Sequence, residues 1–565
     1  MNKKDDTIQN VVIGIFGTPI NRWINNFSLK DGGASLFTNG TLCVSISEER
    51  LTKHKHSTGF ENAIAYCLEY SGFKEDDIDS IVLSNCCDSP FILNGSLQGI
   101  LARNYTKVKI VPSHHYSHAL LAAIQSGFNE SLIIVADNEG NLLGNVTDYK
   151  NYWNNSLERV SFYLYKNEKL TLIDRDCFES DNIGLGDAYH YFTHYLGWNS
   201  YTQAGRVMGL SAYGDKNKYE SPIWILDDNN KINTLIPNNR INKINTIEEF
   251  GLKYYKSFPK SRNYSDAITQ EHMNVASWVQ NELENILSKK ISLLIEKTKV
   301  NNICISGGIG YNCLANRVIY DLLEVENIFI PYAPGDEGQP LGNALFNLLH
   351  ENRYTEISIG NSPFLGKNYS DNEILAALRK EKGIKYTHYK NIFSITASLL
   401  VEQKIIGWFQ GRSEMGSRAL GNRSILADPR SFEMKEKVNK IKGREWFRPV
   451  APSILEEFQN EYFDLDLYVP YMNIVANALP KTKLIAPAIV HNDNTSRIQT
   501  VRKTDNKIFY DLIATFYSLT KVPIIINTSF NKNGSPIVES PADAIEAFNQ
   551  MNLDVLVMNN FLITK

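Results

Sequence analysis

Four side chains of metal-ligating type stand out along the chain: His114, His118, Asp137 and Asp336. The run Lys107 to Val111 is strand-like, Pro112-Ser113 supplies a break and an N-cap, and Tyr116 to Ser126 has helical composition ending at Gly127. His114 and His118 then stand one turn apart on one helical face, within reach of a single ion. Spacing alone decides nothing, because His190 and His194 share it. The segments downstream of the first pair set it apart. Ser131 to Ala136 is an unbroken apolar strand ending at Asp137, and Asn327 to Pro331 is another, leading into Ala333-Pro-Gly-Asp336. Carboxylates just past the carboxyl ends of buried parallel strands gather at the crevice where open α/β sheets bind ligands. Two imidazoles with two carboxylates suit a borderline divalent ion: Fe(II), Mn(II) or Zn(II).

A second chemistry concentrates further along. The stretch from Gly411 to Arg430 sets Arg412, Arg418, Arg423 and Arg430 among glycines, with Lys442, Arg444, Arg448 and Arg497 beyond it. Guanidinium groups bind phosphate or carboxylate oxygens bidentately, and glycines let the backbone come close. A solvated basic face is the plainer reading of such a run. Interleaved apolar residues and the partial offset by Asp428, Glu445 and Asp493 favour an anion site instead. The strand Val522 to Asn527 delivers Thr528-Ser529-Phe530 to its end, so Ser529 is placed to donate to the same anion. There is no Walker P-loop and no G-x-G-x-x-G after a strand; any nucleotide must use this cluster, with Ser306-Gly307-Gly308 as a second contact.

The elements that must position these groups alternate. A strand at Val11 to Phe16, a hairpin across Asn39-Gly40, a helix from Asn62 to Tyr70 and a strand at Ile81 to Leu83 precede the histidine pair. Strand 131–136 is then succeeded by a second hairpin around Lys166-Asn167-Glu168, a helix from Asn274 to Glu296, a strand at Ile303 to Ile305, strand 327–331 and a helix from Pro340 to Leu349. Two successive strand-hairpin-helix units predict a duplicated α/β fold with its cleft between the halves. Residues 216–266, rich in Asn, Lys and Tyr and poor in periodicity, read as a surface insertion. The pattern lapses between His350 and Pro363, which places a domain boundary near 355/356.

Composition bounds the rest. With 565 residues the chain exceeds one core, and a net charge of -4 recruits neither nucleic acid nor membrane. The 7 cysteines include no C-x2-C pair, and no apolar run approaches a membrane span. Reduced core thiols and a cytoplasmic location are expected.

On these residues the chain resembles the carbamoyltransferases that decorate nodulation factors and antibiotics. The likeness is nearly full length. It is carried by Ser47-Glu-Glu-Arg50 with Lys55-His56, the His114/His118 stretch, Val207 to Gly214, Ser306-Gly-Gly-Ile-Gly-Tyr-Asn312 and Pro334-Gly-Asp336-Glu-Gly. Further on come the specific 411–430 block, Phe447 to Ser453, Pro487 to Thr500 and Asn527-Thr-Ser-Phe530. The resemblance implies an α/β chain: residues 1–355 an actin/hexokinase-like duplicated domain, akin to the tRNA threonylcarbamoyl transferase subunit, and residues 356–565 a YrdC-like α/β domain. It implies that the second domain takes carbamoyl phosphate and ATP with Mg and forms carbamoyl-adenylate with Arg418, Lys442, Arg448, Arg497, Asn527 and Ser529. In the first domain, Gly307, Gly308 and Asn312 would hold the adenylate beside iron on His114, His118, Asp137 and Asp336 while a small-molecule acceptor hydroxyl attacks. A threonylcarbamoyl-tRNA modifier and a non-catalytic nucleotide-binding regulator are the alternatives, and a homodimer is compatible with the sequence.

One departure bears on mechanism. The family usually carries His-Asp in the early hairpin, that His being a candidate base, and here Lys30-Asp31 stands in its place. Lysine is a poor base unless burial depresses its pKa, so Lys30, Asp31 and His56 all enter as catalytic candidates with Arg418 and Lys442. Ser417 and Tyr311 replace the proline and the smaller aliphatic residue usual in the family.

Overall fold

The strand that delivers Asp137 is apolar on both faces, and such a strand needs cover on both sides. In the computed structural model, which describes residues 10–17, 30–84, 99–138, 140–143, 156–178, 183–198, 201–237, 239, 242–351 and 357–565, Leu132 to Ala136 are buried throughout. Glu130–Ala136 pairs antiparallel with Ser156–Lys166 and parallel with Asn302–Ser306. Lys169–Phe178 extends the antiparallel side and Asn327–Phe329 the parallel side.

The same plan is built earlier from other residues. Val11–Phe16 pairs antiparallel with Gly33–Thr38, which pairs antiparallel with Thr41–Ser47. On its other edge Val11–Phe16 pairs parallel with Ser80–Leu83, which pairs parallel with Val108–Ile110. Leaving aside the two-residue strand Leu142–Leu143, which pairs with Ser156–Lys166, each half therefore runs, in its own strand numbering, third-second-first-fourth-fifth. Both hairpins turn on left-handed residues, Asn39 and Gly40 in one and Asn167 and Glu168 in the other, as two-residue hairpins require. A third, eight-stranded mixed sheet spans Lys385–His388 to Phe561–Thr564. The chain is thus α/β as expected, two halves built on one strand plan with a further α/β unit after them. The boundary expected at 355/356 falls outside the described residues.

One helix ties the halves to the histidine pair. Gln339–His350 crosses Val11–Phe16 so closely that a Cβ at Gly14 would lie 1.8 Å from the Pro340 carbonyl, and one at Gly342 would lie 2.2 Å from the Ser117 carbonyl. Only glycine admits that approach. Asn343 donates to the Ile15 carbonyl at 2.8 Å, and Gln339 accepts from Ser84 Oγ at 2.7 Å and donates to the His114 carbonyl at 3.1 Å. The helix His114–Ser126 begins two residues earlier than its composition indicates, because Ser113 is its N-cap, Oγ accepting from the Tyr116 N–H at 3.2 Å.

Residues 216–266 depart from the surface reading. They form a hairpin, Trp224–Leu226 with Ile232–Thr234, and the helix Lys243–Tyr254. Tyr219, Ile223, Trp224, Ile247 and Phe250 are buried, and Tyr219, Phe250, Tyr255 and Phe258 surround the Trp278 ring. Polar residues dominate the count while a few large aromatics supply the buried area, so composition concealed a packed element. No helix among the described residues is long and apolar enough to cross a membrane.

Candidate functional site

The four expected ligands meet. His114 Nε2 lies 3.0 Å from Asp336 Oδ1 and 3.4 Å from Asp137 Oδ2; His118 Nε2 lies 3.4 Å and 3.2 Å from the same two atoms. All four ligand atoms fall within 4.8 Å of one another. Both imidazoles are fully buried, their centroids 4.8 Å apart and their planes nearly perpendicular. Burial lowers the His114 imidazole, but Asp336 and Asp137 more than reverse this and push it up to about 10; His118 moves the same way. Burial raises the Asp137 carboxyl, and the two imidazoles overcome it and hold the group well below the usual carboxylate range. Two carboxylates facing two inward nitrogens demand positive charge at the centre. The donor set fits a divalent ion with mixed nitrogen and oxygen ligands.

The other pair behaves in the opposite way. His190 and His194 lie on the helix Leu185–Tyr195, and burial pushes His190 down to about 4 despite Asp187. They join no ligand group among the described residues. His190→Asn is therefore expected to leave metal content unchanged in elemental analysis. Because its folded pKa lies below the unfolded value near 6.5, the unfolded chain binds the proton first, and stability falls as pH drops from about 6.5 towards 4. Urea melts of the variant at pH 7.5 and pH 5 are expected to lack about 2 kcal/mol of that acid loss.

The basic run sorts into two classes. Arg423 is fully buried over the Phe409 ring and donates to the carbonyls of Gln410 at 2.7 Å and Asn422 at 3.1 Å. Arg412 donates to the carbonyls of Gly366, Leu365 and Cys43, and Arg430 to Asp428. These three brace loops, so the expectation that they hold an anion is corrected: their donors are spent on the protein's own oxygens. Arg418, Arg444, Arg448 and Arg497 are the other class, and Lys442 stands among them although its ammonium also donates to protein oxygens. Desolvation first, and then their mutual repulsion, lowers the pKa of Lys442, Arg444 and Arg497. Arg448 is lowered by desolvation too, with Glu445 opposing and Arg418 adding to the fall. Among the described residues, Arg418 Nε and Arg497 Nε are buried without a partner, and the Arg444 side chain makes a 3.3 Å contact with Thr528 Oγ1. Such a group of cations, starved of counter-charge, is relieved by an anion.

Local structure explains the convergence. Lys442 ends the helix Met434–Lys442, capped by left-handed Gly443, and its ammonium donates to the Ser529 carbonyl and to the Asn531 carbonyl at 2.8 Å. Ser529, at the end of Ile524–Ser529, donates from Oγ to Asn531 Oδ1 at 2.6 Å. Arg497 ends Thr495–Arg497. Asn527 sits one layer inward, fully buried and donating to Gln499 Oε1 at 2.9 Å and Ser453 Oγ at 3.1 Å.

In the N-terminal domain, Gly307 comes directly after Asn302–Ser306 and is left-handed, and a Cβ on Gly308 would lie 3.2 Å from Asp137 Oδ1. Both glycines thus sit against the ligand cluster. Asn312 is turned away, its amide exchanged with Gln280 at 3.0 Å and 3.1 Å and its oxygen capping Ala315. Lys30 is exposed, whereas His56 Nδ1 and Asp31 Oδ1 are paired at 2.6 Å.

Glu337 and Lys55, where the two domains meet, escape single-residue reasoning. Arg418 lies 4.8 Å over the Tyr311 ring, and Tyr311 donates to Glu337, the neighbour of the ligand Asp336. Burial pushes the Glu337 carboxyl up to about 7. Lys55 belongs to the cationic group as well: desolvation lowers it, Glu49 opposes, and Arg448, Arg444 and Arg418 lower it further. Its only sequence signal was adjacency to His56, and Arg444 was hidden among equivalent arginines.

Two family models match the chain. A model described as "Carbamoyltransferase N-terminus" matches residues 24–91 and 91–345, and one described as "Carbamoyltransferase C-terminus" matches 397–565. The chain is similar to nodulation protein NolNO of Sinorhizobium fredii, at 32% identity over 96% of this chain and 80% of that protein. It is similar to nodulation protein NolO of Bradyrhizobium diazoefficiens, at 32% identity over 80% and 79% of the two chains. Protein MJ1051 of Methanocaldococcus jannaschii matches at 30% identity over 95% of this chain and 98% of its own.

Proposed function

The chain belongs to the carbamoyltransferase family, and from that premise we propose an ATP-dependent enzyme that makes carbamoyl-adenylate and passes the carbamoyl group to a hydroxyl of a small natural product or saccharide. Overall, carbamoyl phosphate, ATP, the acceptor alcohol and water become the carbamate ester, AMP, pyrophosphate and phosphate. The division of labour falls near 355/356. Arg418, Lys442, Arg444, Arg448, Arg497 and Ser529 bind the phosphates of carbamoyl phosphate and of ATP with its Mg, and offset charge as the two anions meet. Gly307 and Gly308 let the adenylate approach Asp137. His114, His118, Asp137 and Asp336 hold a divalent ion of the Fe(II), Mn(II) or Zn(II) group, which supplies Lewis acidity when bound.

The observation that carries the reading is the bridge between the two groups: Arg418 over Tyr311, and Tyr311 hydrogen-bonded to Glu337 beside Asp336. A site that repels itself without an anion and a ligand cluster that needs a cation meet at this contact, and a labile mixed anhydride formed at one and used at the other would be spared release to water. The test is product analysis. The protein with ATP and carbamoyl phosphate is expected to yield pyrophosphate that depends on both, and an extract containing the acceptor should show a mass gain of one carbamoyl group. Absence of pyrophosphate would leave a nucleotide-binding regulator. Replacement of carbamoyl phosphate by threonine and bicarbonate would instead place the chain in tRNA threonylcarbamoylation.

A further inference from the structure

With Lys30 at the position where the family usually carries its histidine, the reaction lacks an assigned base for the acceptor hydroxyl. His56 and Asp31 have a geometry that fits the task. His56 Nδ1 and Asp31 Oδ1 are 2.6 Å apart, and 26% of the one side chain and 28% of the other remain exposed, so the pair is ordered yet reachable. Both residues take a left-handed backbone, φ 58° at His56 and 59° at Asp31, a conformation strained for a residue with a Cβ that recurs where geometry serves function.

The surroundings hold them there. The His56 N–H donates to Glu49 Oε2 at 2.9 Å, and the Gly32 N–H donates to the Ser57 carbonyl at 2.8 Å. A Cβ on Gly32 would lie 1.9 Å from the Gly59 carbonyl, so the chain after Asp31 is pressed against the segment after His56. Ser57 is in turn hydrogen-bonded to Thr52 at 2.5 Å. The chain neighbour Lys55 feels Arg418, Arg444 and Arg448, and the Asp31 charge is felt at Glu337 beside the ligand Asp336.

We propose that His56, oriented by Asp31, is the general base that deprotonates the acceptor. This rests on the carbamoyl-adenylate reading. Asp31 accepts from Nδ1–H and so leaves the Nε2 lone pair outward, the arrangement that fixes the tautomer in carboxylate-histidine pairs. The acceptor O–H proton passes to Nε2 as the acceptor oxygen bonds to the carbamoyl carbon. The bond from that carbon to the phosphate oxygen breaks, AMP leaves with the electron pair, and the proton returns to solvent. Asp31 is a positioning residue.

His56→Gly and Asp31→Asn test the proposal, with water as the acceptor used. Glycine suits φ 58° and opens a space the size of imidazole. Both variants are expected to keep the first-turnover burst of pyrophosphate within about twofold of wild type, and to lose roughly 10²-fold in steady AMP release, the usual share of a general base. Added imidazole is expected to restore AMP release in His56→Gly and not in Asp31→Asn, a rescue that a merely structural histidine would not give. A full burst with undiminished AMP release, or a loss that imidazole fails to restore, would overturn the assignment while leaving the carbamoyl-adenylate reading in place. Wild-type protein that makes no pyrophosphate would overturn both. If one variant loses its burst through misfolding, the other decides.

Discussion

Asp137→Asn and His118→Leu are each expected to bring bound divalent metal from one equivalent per chain to under about a tenth, and to lower carbamoyl transfer about 10³-fold or more. Each ligand faces the other side of the cluster: Asp137 Oδ2 lies 3.4 Å from His114 Nε2 and 3.2 Å from His118 Nε2, so one substitution disturbs both halves of the donor set. Asparagine keeps the shape of aspartate and removes its charge, which isolates electrostatics from packing. Leucine at 118 leaves Asp137 and Asp336 facing one imidazole in place of two, so this variant is also expected to lose stability. The measurement is elemental analysis after chelation and reloading, run beside a pyrophosphate assay. Pyrophosphate formation is expected to persist, because Lys442 and the arginines lie in the other domain. Variants that retain a full equivalent of metal would refute the ligand assignment. Variants that lose metal and transfer normally would show that the ion is not needed for the second step.

How much of this was legible in the sequence varies with the range of the interaction. The duplicated order of strands came from local signals: alternating apolar runs, Asn39-Gly40 at one hairpin and Asn167-Glu168 at the other, and Gly127 stopping the histidine helix. The ligand cluster was legible because strand ends are local features and parallel strands bring their ends together. The arginines were harder. Arg418 and Arg423 stand five residues apart in the same glycine-rich block, yet one points at Tyr311 and the other is locked over Phe409 among backbone carbonyls. Nothing in side-chain type separates them. Only the crossing of Arg423–Ala427 through the centre of a sheet does, since a residue there finds carbonyls on its own strand ends. Lys55 and Glu337 were illegible for a related reason: each acts across the meeting of the two domains, a contact with no counterpart in local pattern. The aromatic cage around Trp278 was concealed by polar neighbours at irregular spacing.

The cationic group makes a prediction whose two parts have opposite signs. Arg444→Met is expected to raise the stability of the unliganded protein by about 1 kcal/mol in urea melts while lowering pyrophosphate formation about 10²-fold to 10³-fold. Desolvation and the charges of Arg448, Arg497 and Arg418 all act against the Arg444 guanidinium, and Glu445 alone is the main offset. Its neutral contact, 3.3 Å to Thr528 Oγ1, contributes little against that. Methionine keeps the apolar stem and removes the charge, so the repulsion on Lys442 falls as well. Lys442 is the instructive contrast. Its ammonium holds the Ser529 and Asn531 oxygens, so Lys442→Met would strand buried acceptors and destabilise the chain as it abolished activity. Ligand supplies the decisive comparison: ATP with carbamoyl phosphate, at about 100 times its Kd, would stabilise wild type by about 2.7 kcal/mol through mass action, and most of that gain disappears in Arg444→Met. An Arg444→Met protein that is less stable alone, or that gains as much from ligand as wild type, would mean that this guanidinium serves the fold and leaves anion binding to its neighbours.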